Sequence, residues 1–312
     1  MDRSSRPKLG FIGTGVVATA LARGLSDAGY EVVAVHGRNR RRTEALARSL
    51  SGAVAAPSRQ AVADAADVAV LAVSDDAIAA VAASIRWSPG RAAVHCNGAA
   101  SLDLLQAASD AGAEVGVLHP LQSFASADQA QRLMRGSAFR VEASSGRLQG
   151  LLEQMAIAVG GRPFVLGANP TLYHVSAVLA SNYFVTLLDL ASALWPEFGA
   201  TREEGLRALL PLVRGTIENV DRLGIPAALT GPIARGDAGT VAHHLEVLGE
   251  LAPHVVPVYK ELALHTVSVA LAKGTIDRDR ARLLTETLSG AGALAESAGA
   301  VSDESEGGAG CE

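Results

Sequence analysis

The stretch KLGFIGTGVVATALARGL, residues 8–25, constrains the fold of this chain more than any other. A short apolar run, LGFI, ends at Gly13-x-Gly15-x-x-Ala18, and an amphipathic stretch follows. Glycines at the end of an apolar run supply a tight turn, and apolar residues at i, i+3 and i+4 call for a helix. Strand, glycine turn and helix in that order open a βαβ unit whose turn accepts a pyrophosphate. Gly13 permits the turn, and Gly15 lets the backbone approach the phosphates, which sit on the free N–H groups of the helix N-terminus. Ala18 allows close helix–strand packing, and Thr14, Val16 and Val17 complete the candidate cofactor loop. A glycine turn with no ligand is the competing reading. The strand before it and the helix after it favour dinucleotide binding.

The first half of the chain continues the alternation. EVVAVHG, RRRTEALARSL, DVAVLAV, DAIAAVAASI, RAAVHCNG, LDLLQAASDAG and EVGVLHP read in turn as strand and helix. Nearly unbroken Val, Ala and Leu runs predict strands buried on both faces of a parallel sheet. SAFRVEAS and RPFVLG read as two later strands around the helix LQGLLEQMAIAV. From Asn169 the pattern changes. Asn-Pro reads as an N-cap with proline at the first helical position, and TREE at 201–204 as a capping box. Further helices are expected over about 238–250, 253–273 and 277–291, with no strand among them. The expected fold is an α/β N-terminal domain of Rossmann type over 1–167, an all-α C-terminal domain over 168–295 for substrate and dimerisation, and a disordered tail over 296–312.

Composition narrows the function classes. A net charge of −5 and 4% aromatic residues leave neither a basic footprint nor stacking platforms for nucleic acid. Cys96 and Cys311 form no metal-ligand spacing, and both are expected as free thiols in a reducing cytoplasm. The polar start MDRSSRPK does not read as a signal peptide, and no run approaches about 20 uninterrupted apolar residues, so no membrane partner is expected. Zinc spacing, a GxSxG nucleophile turn and a Walker lysine are all missing from the sequence.

The second strand ends without the Asp or Glu that an NAD site places on the ribose hydroxyls. Arg38, Asn39, Arg40, Arg41 and Arg42 follow instead. A guanidinium fork matches phosphate, so NADP(H) is the expected cofactor, with Arg38 and one of Arg40 to Arg42 on the 2′-phosphate. Ligands of open α/β sheets lie outside the carboxyl ends of the strands. Three such ends are polar here, at Ser74, Asn97 and His119. Ser74 and Asn97 are expected beside the nicotinamide half, and His119 either contacts substrate or stabilises its own loop.

Residues 173–183, YHVSAVLASNY, lie in a long apolar stretch that reads as a buried helix. At about 100° per residue His174, Val178 and Ser181 share a stripe, with Asn182 at its edge. A polar stripe on the first helix after a dinucleotide-binding domain is expected to face the cleft. His174, Ser181 and Asn182 are therefore the candidate catalytic residues, with the His174 imidazole as proton donor to a carbonyl or imine. Residues 230–237, TGPIARGD, read as a turn between helices. Asp237 is placed there as an N-cap, and Arg235 as a clamp for a substrate carboxylate, both at the substrate.

The motifs GFIGTGVVATALA, HCNGAASLDLL, LHPLQSFA, HVSAVLASNYFVTLLD and LTGPIARGDAGTVAHHL resemble those of bacterial Rossmann-like proteins whose C-terminal half is domain of unknown function 2520. The likeness runs from about Lys8 to about Leu288. It implies kinship with ketopantoate reductase, pyrroline-carboxylate reductase, the β-hydroxyacid dehydrogenases and prephenate dehydrogenase. Ketopantoate reductases carry a lysine on this helix, with asparagines one and two turns on. In this chain His174, Val178 and Asn182 stand at the matching places, so the resemblance implies a departure at the acid. It also implies a homodimer through the helical half. The function expected is an NADP(H)-dependent oxidoreductase acting on a small 2-oxo acid. Reduction of pyrroline-carboxylate or another imine, prephenate-type oxidation, and a non-catalytic NADP(H) sensor are the alternatives.

Overall fold

The computed structural model describes residues 6–166 and 169–290, and the chain divides into two compact units, Met1–Tyr183 and Phe184–Glu312. The disordered tail expected over 296–312, with Cys311 in it, lies outside the described residues.

In the first unit the strands are β1 (Leu9–Ile12), β2 (Val32–His36), β3 (Val54–Ala55), β4 (Val68–Leu71), β5 (Ala92–His95), β6 (Glu114–Pro120), β7 (Ala138–Ala143) and β8 (Arg162–Phe164). Its helices are α1 (Val16–Asp27), α2 (Arg40–Arg48), α3 (Arg59–Ala65), α4 (Ile78–Ala83), α5 (Gln106–Asp110), α6 (Ala127–Leu133), α7 (Gly146–Ala158) and α8 (Pro170–Ala177). The strands form one sheet in the order β3-β2-β1-β4-β5-β6-β7-β8. All neighbours through β6 are parallel. The sequence pattern did not show that β7 runs antiparallel to β6, with Gly116 opposite Ala143 and Pro120 opposite Phe139. Hydrophobic runs buried on both faces look alike in either direction.

Alternation along β1 explains the two-sided core. Leu9 and Phe11 join a cluster with Leu21, Leu25, Leu148 and Met155, whereas Ile12 joins one with Val62, Ile78 and Leu105 on the opposite face. α1 buries Ala18, Leu21, Ala22 and Leu25, the spacing of one helix stripe. α3 presses so closely on β1 that a Cβ at Gly10 would stand 2.5 Å from Val62 Cγ1.

The second unit is helical: α9 (Tyr183–Ala193) begins at its boundary, followed by α10 (Arg202–Leu223), α11 (Pro232–Arg235), α12 (Ala238–Leu251), α13 (Val256–Lys273) and α14 (Arg278–Ser289). The capping box is formed: Thr201 Oγ1 accepts from the Glu204 N–H at 3.2 Å, and the Glu204 carboxylate accepts from the Thr201 N–H at 2.8 Å. A core of Ile233, Val241, Val267, Ala270, Leu284 and Leu288 joins α11 through α14. In contrast, α10 buries only Gly205 and α9 only Ser192.

Two sequence expectations change here. The helix starting at Pro170 is not buried in the single chain: Leu172, Leu179, Tyr183 and Val185 are each more than half exposed. Two helical stretches, Pro170–Phe198 and Pro253–Lys273, are also long and apolar enough to cross a membrane by length and composition. Polar residues and Asp189 interrupt the first stretch, and Lys260 and Glu261 the second, so neither stands out in the sequence as an unbroken apolar run.

Candidate functional site: a dinucleotide cavity at the sheet switch point

From β1 the chain winds one way to β2 and β3 and the other way through β4, so a crevice opens between the strand ends. A cavity of about 520 Å³ lies there, lined by Ile12, Gly13 and Gly15 at the end of β1, His36 to Asn39 at the end of β2, and Ala72 to Asp75 after β4. The cofactor residues expected from sequence converge on it: Gly13, Thr14, Gly15, Val16, Val17, Arg38, Asn39 and Ser74 all line it.

The two loop glycines differ in their reasons. Gly13 has φ +118°, and a Cβ there would stand 2.1 Å from the Ala72 carbonyl oxygen. Only glycine fits that turn. Gly15 is the N-cap of α1 with extended backbone and no side-chain cap, and a Cβ on it would meet nothing within 4 Å. The space beside it belongs to the cavity, where uncapped N–H groups can donate to a pyrophosphate. Opposite, Gly37 lets β2 end against the loop, since a Cβ would reach Thr14 Oγ1 at 2.7 Å. These residues fit a dinucleotide.

The arginine cluster sorts itself. Arg40 donates to Glu44 at 2.7 Å, and Arg48 approaches the same carboxylate. Arg38 and Arg42 line the cavity, and neither pairs with a carboxylate among the described residues. Asn39 caps α2 by accepting from the Arg42 N–H at 3.0 Å, which fixes where Arg42 begins. Arg59, at the start of α3, also lines the cavity. The sequence reading missed it because no run of basic residues marks it.

At the β5 and β6 ends a second polar group gathers. Asn97 does not line the cavity; its Oδ1 accepts from the Ala99 and Ala100 N–H groups at 2.7 and 3.0 Å and shapes the turn, while Cys96 beside it does line the cavity. Burial pushes the Cys96 thiol up to about 12. His95 Nε2 donates to the Ser101 carbonyl at 3.1 Å and its Nδ1 accepts from the Asn97 N–H, which defines a neutral tautomer. Burial lowers His95 to about 4. His119 lies over Gly98, where a Cβ would come within 2.6 Å of the ring, and its Nδ1 is 3.1 Å from Tyr173 Oη on α8. Burial first, then the charges of His174, Arg140 and His95, lower His119 to about 4. Burial raises Tyr173 to about 12. Both partners are thus neutral near pH 7.

Arg140, opposite His119 in the β6–β7 ladder, is wholly buried. It donates to the Gly98 and Ala100 carbonyls at 3.0 and 2.7 Å and to Glu142 at 2.5 Å, while its Nε has no partner among the described residues. It pins the loop after β5. The sequence carries one signal of this: Arg140 and Glu142 are an i, i+2 charge pair on one face of an otherwise apolar strand.

His174 is exposed on α8, Ser181 is half-buried and Asn182 exposed. Residues Val178–Asn182 form a π-turn, so a register of 100° per residue does not carry from His174 to Ser181 and Asn182. In the second unit Arg235 is exposed at the end of α11, and Asp237 caps α12. Asp237 accepts from Thr240 Oγ1 and the Thr240 N–H at 2.6 and 3.0 Å, bonds that hold its carboxyl below the usual range. No cluster of three metal-ligating side chains exists among the described residues.

Comparison with known proteins agrees with this layout. Residues 8–96 match the family model described as NADP oxidoreductase, coenzyme F420-dependent, and residues 137–266 match domain of unknown function DUF2520. No curated protein sequence matches. Among solved structures, a Bacteroides fragilis protein provisionally called an NADP oxidoreductase is 24% identical over 84% of this chain and 98% of its own, with a TM-score of 0.67. A reductive aminase from Aspergillus terreus, in complex with NADPH and ethyl levulinate, is 20% identical over 90% and 99%, with a TM-score of 0.60. A 1-pyrroline-5-carboxylate reductase from Streptococcus pyogenes is 16% identical over 91% and 99%, with a TM-score of 0.57. At these identities the likeness is one of fold. The cofactor of the matched class is NADP(H). The chain thus joins a Rossmann-like first unit, similar over residues 8–96 to NADP oxidoreductases, to a segment over residues 137–266 that matches domain of unknown function 2520.

Proposed function

We propose that this chain reduces a polarised C=O or C=N bond in a small acid, a 2-oxo acid of ketopantoate type or a cyclic imine of pyrroline-carboxylate type, using NADPH. The observation that carries the reading is the cavity at the switch point, built with a side-chain-free cradle at Gly15 and with Arg38 and Arg42 at its edge. The reductive aminase and the pyrroline-carboxylate reductase favour the imine arm. Bound nicotinamide would supply the hydride. The chain's own part is to hold the phosphates on the α1 N-terminus, to clamp the acceptor and to deliver a proton.

His119, lowered to about 4, is not a charged acid at neutral pH. His174 is exposed one residue from Tyr173 on α8, and in this reading its imidazolium protonates the acceptor oxygen or nitrogen as hydride reaches the carbon. Ser181 and Asn182 orient the acceptor. Arg235, with no carboxylate pair among the described residues, clamps the substrate carboxylate, and Asp237 orders the loop that presents it. The exposed apolar faces of α9 and α10 are covered by a second copy, making a homodimer. The setting proposed is the cytoplasm.

The test is acceptor-dependent oxidation of NADPH with 2-oxo acids and cyclic imines, wild type beside His174→Ala. A fall in kcat of about 10²–10⁴ in the variant is the expected size for a lost general acid. Equal rates in the two proteins would remove His174 from the reaction.

A further inference from the structure

Arg59 begins α3, the helix that follows β3, and β3 pairs with β2 through Ala34–Val54 and Val35–Ala55. Two bonds tie the segment before Arg59 to the end of β2: the Ala56 N–H donates to the Val35 carbonyl at 2.8 Å, and His36 Nδ1 donates to the Ala56 carbonyl at 2.9 Å. The loop that carries Arg38 leaves β2 immediately afterwards. Two separate elements therefore bring guanidinium groups to one cavity wall, which is lined by Arg38, Arg42 and Arg59.

Arg59 is half-buried, and its one side-chain hydrogen bond goes to a neutral partner, Ser84 Oγ at 3.1 Å. A guanidinium carries five N–H donors, so most remain free for another acceptor. None of the three arginines pairs with a carboxylate among the described residues, whereas Arg40 and Arg48 are both drawn to Glu44. Like charges gathered on one wall without a counter-charge oppose each other until an anion arrives. Asp75, the carboxylate that does line the cavity, stands on the loop after β4, across β1 from β2.

We infer that Arg59 is a third ligand of the cofactor's 2′-phosphate and, with Arg38 and Arg42, sets the preference for NADP(H) over NAD(H). The inference rests on the NADPH reading of the cavity. A guanidinium can instead stack on the adenine, which both cofactors share. The two roles separate on the extra phosphate alone.

Full-length wild type, Arg59→Ala and Arg59→Lys are titrated with NADPH and with NADH, following nicotinamide fluorescence. A thermal melt of each variant checks that it is folded. In Arg59→Ala the NADPH Kd is expected to rise about tenfold or more, as for a lost charge-assisted bond to phosphate. The NADH Kd stays within about twofold, and Arg59→Lys recovers part of the loss. An equal rise for both cofactors would assign Arg59 to adenine stacking and overturn the inference, as would an unchanged NADPH Kd. Wild type that binds NADPH no tighter than NADH would instead defeat the arginine reading of the whole cavity, Arg59 included.

Discussion

Gly13 and Gly15 stand two residues apart and serve opposite needs. Gly13 is held by its own backbone, because positive φ and the Ala72 carbonyl leave no room for a side chain. Gly13→Ala is expected to lower the melting temperature and to abolish NADPH binding. Gly15 is bare for the ligand's sake, with nothing within 4 Å of a Cβ. Gly15→Ala should therefore keep the melting temperature within a degree or so and weaken NADPH binding about tenfold, roughly 1.4 kcal/mol. A melt and a titration on each variant check the pair. His95 and His119 make a pH-dependent claim. Their folded values, about 4, lie below the unfolded value of 6.5, so the unfolded chain binds more protons between those limits. The stability is complete above the unfolded value and is lost as pH falls from there towards 4, by about 1.4 kcal/mol per pH unit for each histidine. Melts between pH 7 and pH 4 should show this slope, shallower in His119→Asn.

Among the elements, the loop after β5 depends on a residue from another strand. Arg140 bonds to the Gly98 and Ala100 carbonyls from β7, and its burial is complete. Arg140→Leu leaves the Gly98 and Ala100 carbonyls without their donor, a loss of about 1–3 kcal/mol for each, read by denaturant unfolding of the full chain. Many strands and helices were legible because they announce themselves locally: LGFI before a glycine turn, Asn169 before proline and, in the second unit, Thr201 three residues before Glu204; the short β3, α3 and α6 were not. Nor was the direction of β7, since the antiparallel pairing with β6 leaves no local mark on an apolar strand. The phosphate loop and Arg38 were legible for the same local reason. Arg59, Arg140 and the Tyr173–His119 bond join residues far apart in sequence, and only the folded chain brings them together. The π-turn at Val178–Asn182 escaped a reading that assumes one helical period throughout.

For the whole molecule the question is what covers the helical unit. Phe198, Leu212, Ile217 and Ile225 are each more than half exposed, and α10 keeps little of its apolar surface inside its own unit. Apolar patches of that kind on a folded chain mark an interface. Light scattering is expected to give twice the chain mass, and Leu212→Glu with Ile217→Glu to shift it towards one. A monomer at micromolar concentration would remove the dimer, and partition into detergent instead would point to a membrane surface for the same helices. Reduction itself stands above all of these claims. The measurement that tests it most directly uses NADPH deuterated on the nicotinamide ring, mixed with full-length protein and a set of 2-oxo acids and cyclic imines, with products read by mass spectrometry. The expected result is one acceptor whose reduced product carries a single deuterium on carbon, formed far faster from NADPH than from NADH. Tight binding of NADPH with no label in any product would contradict the reductase reading.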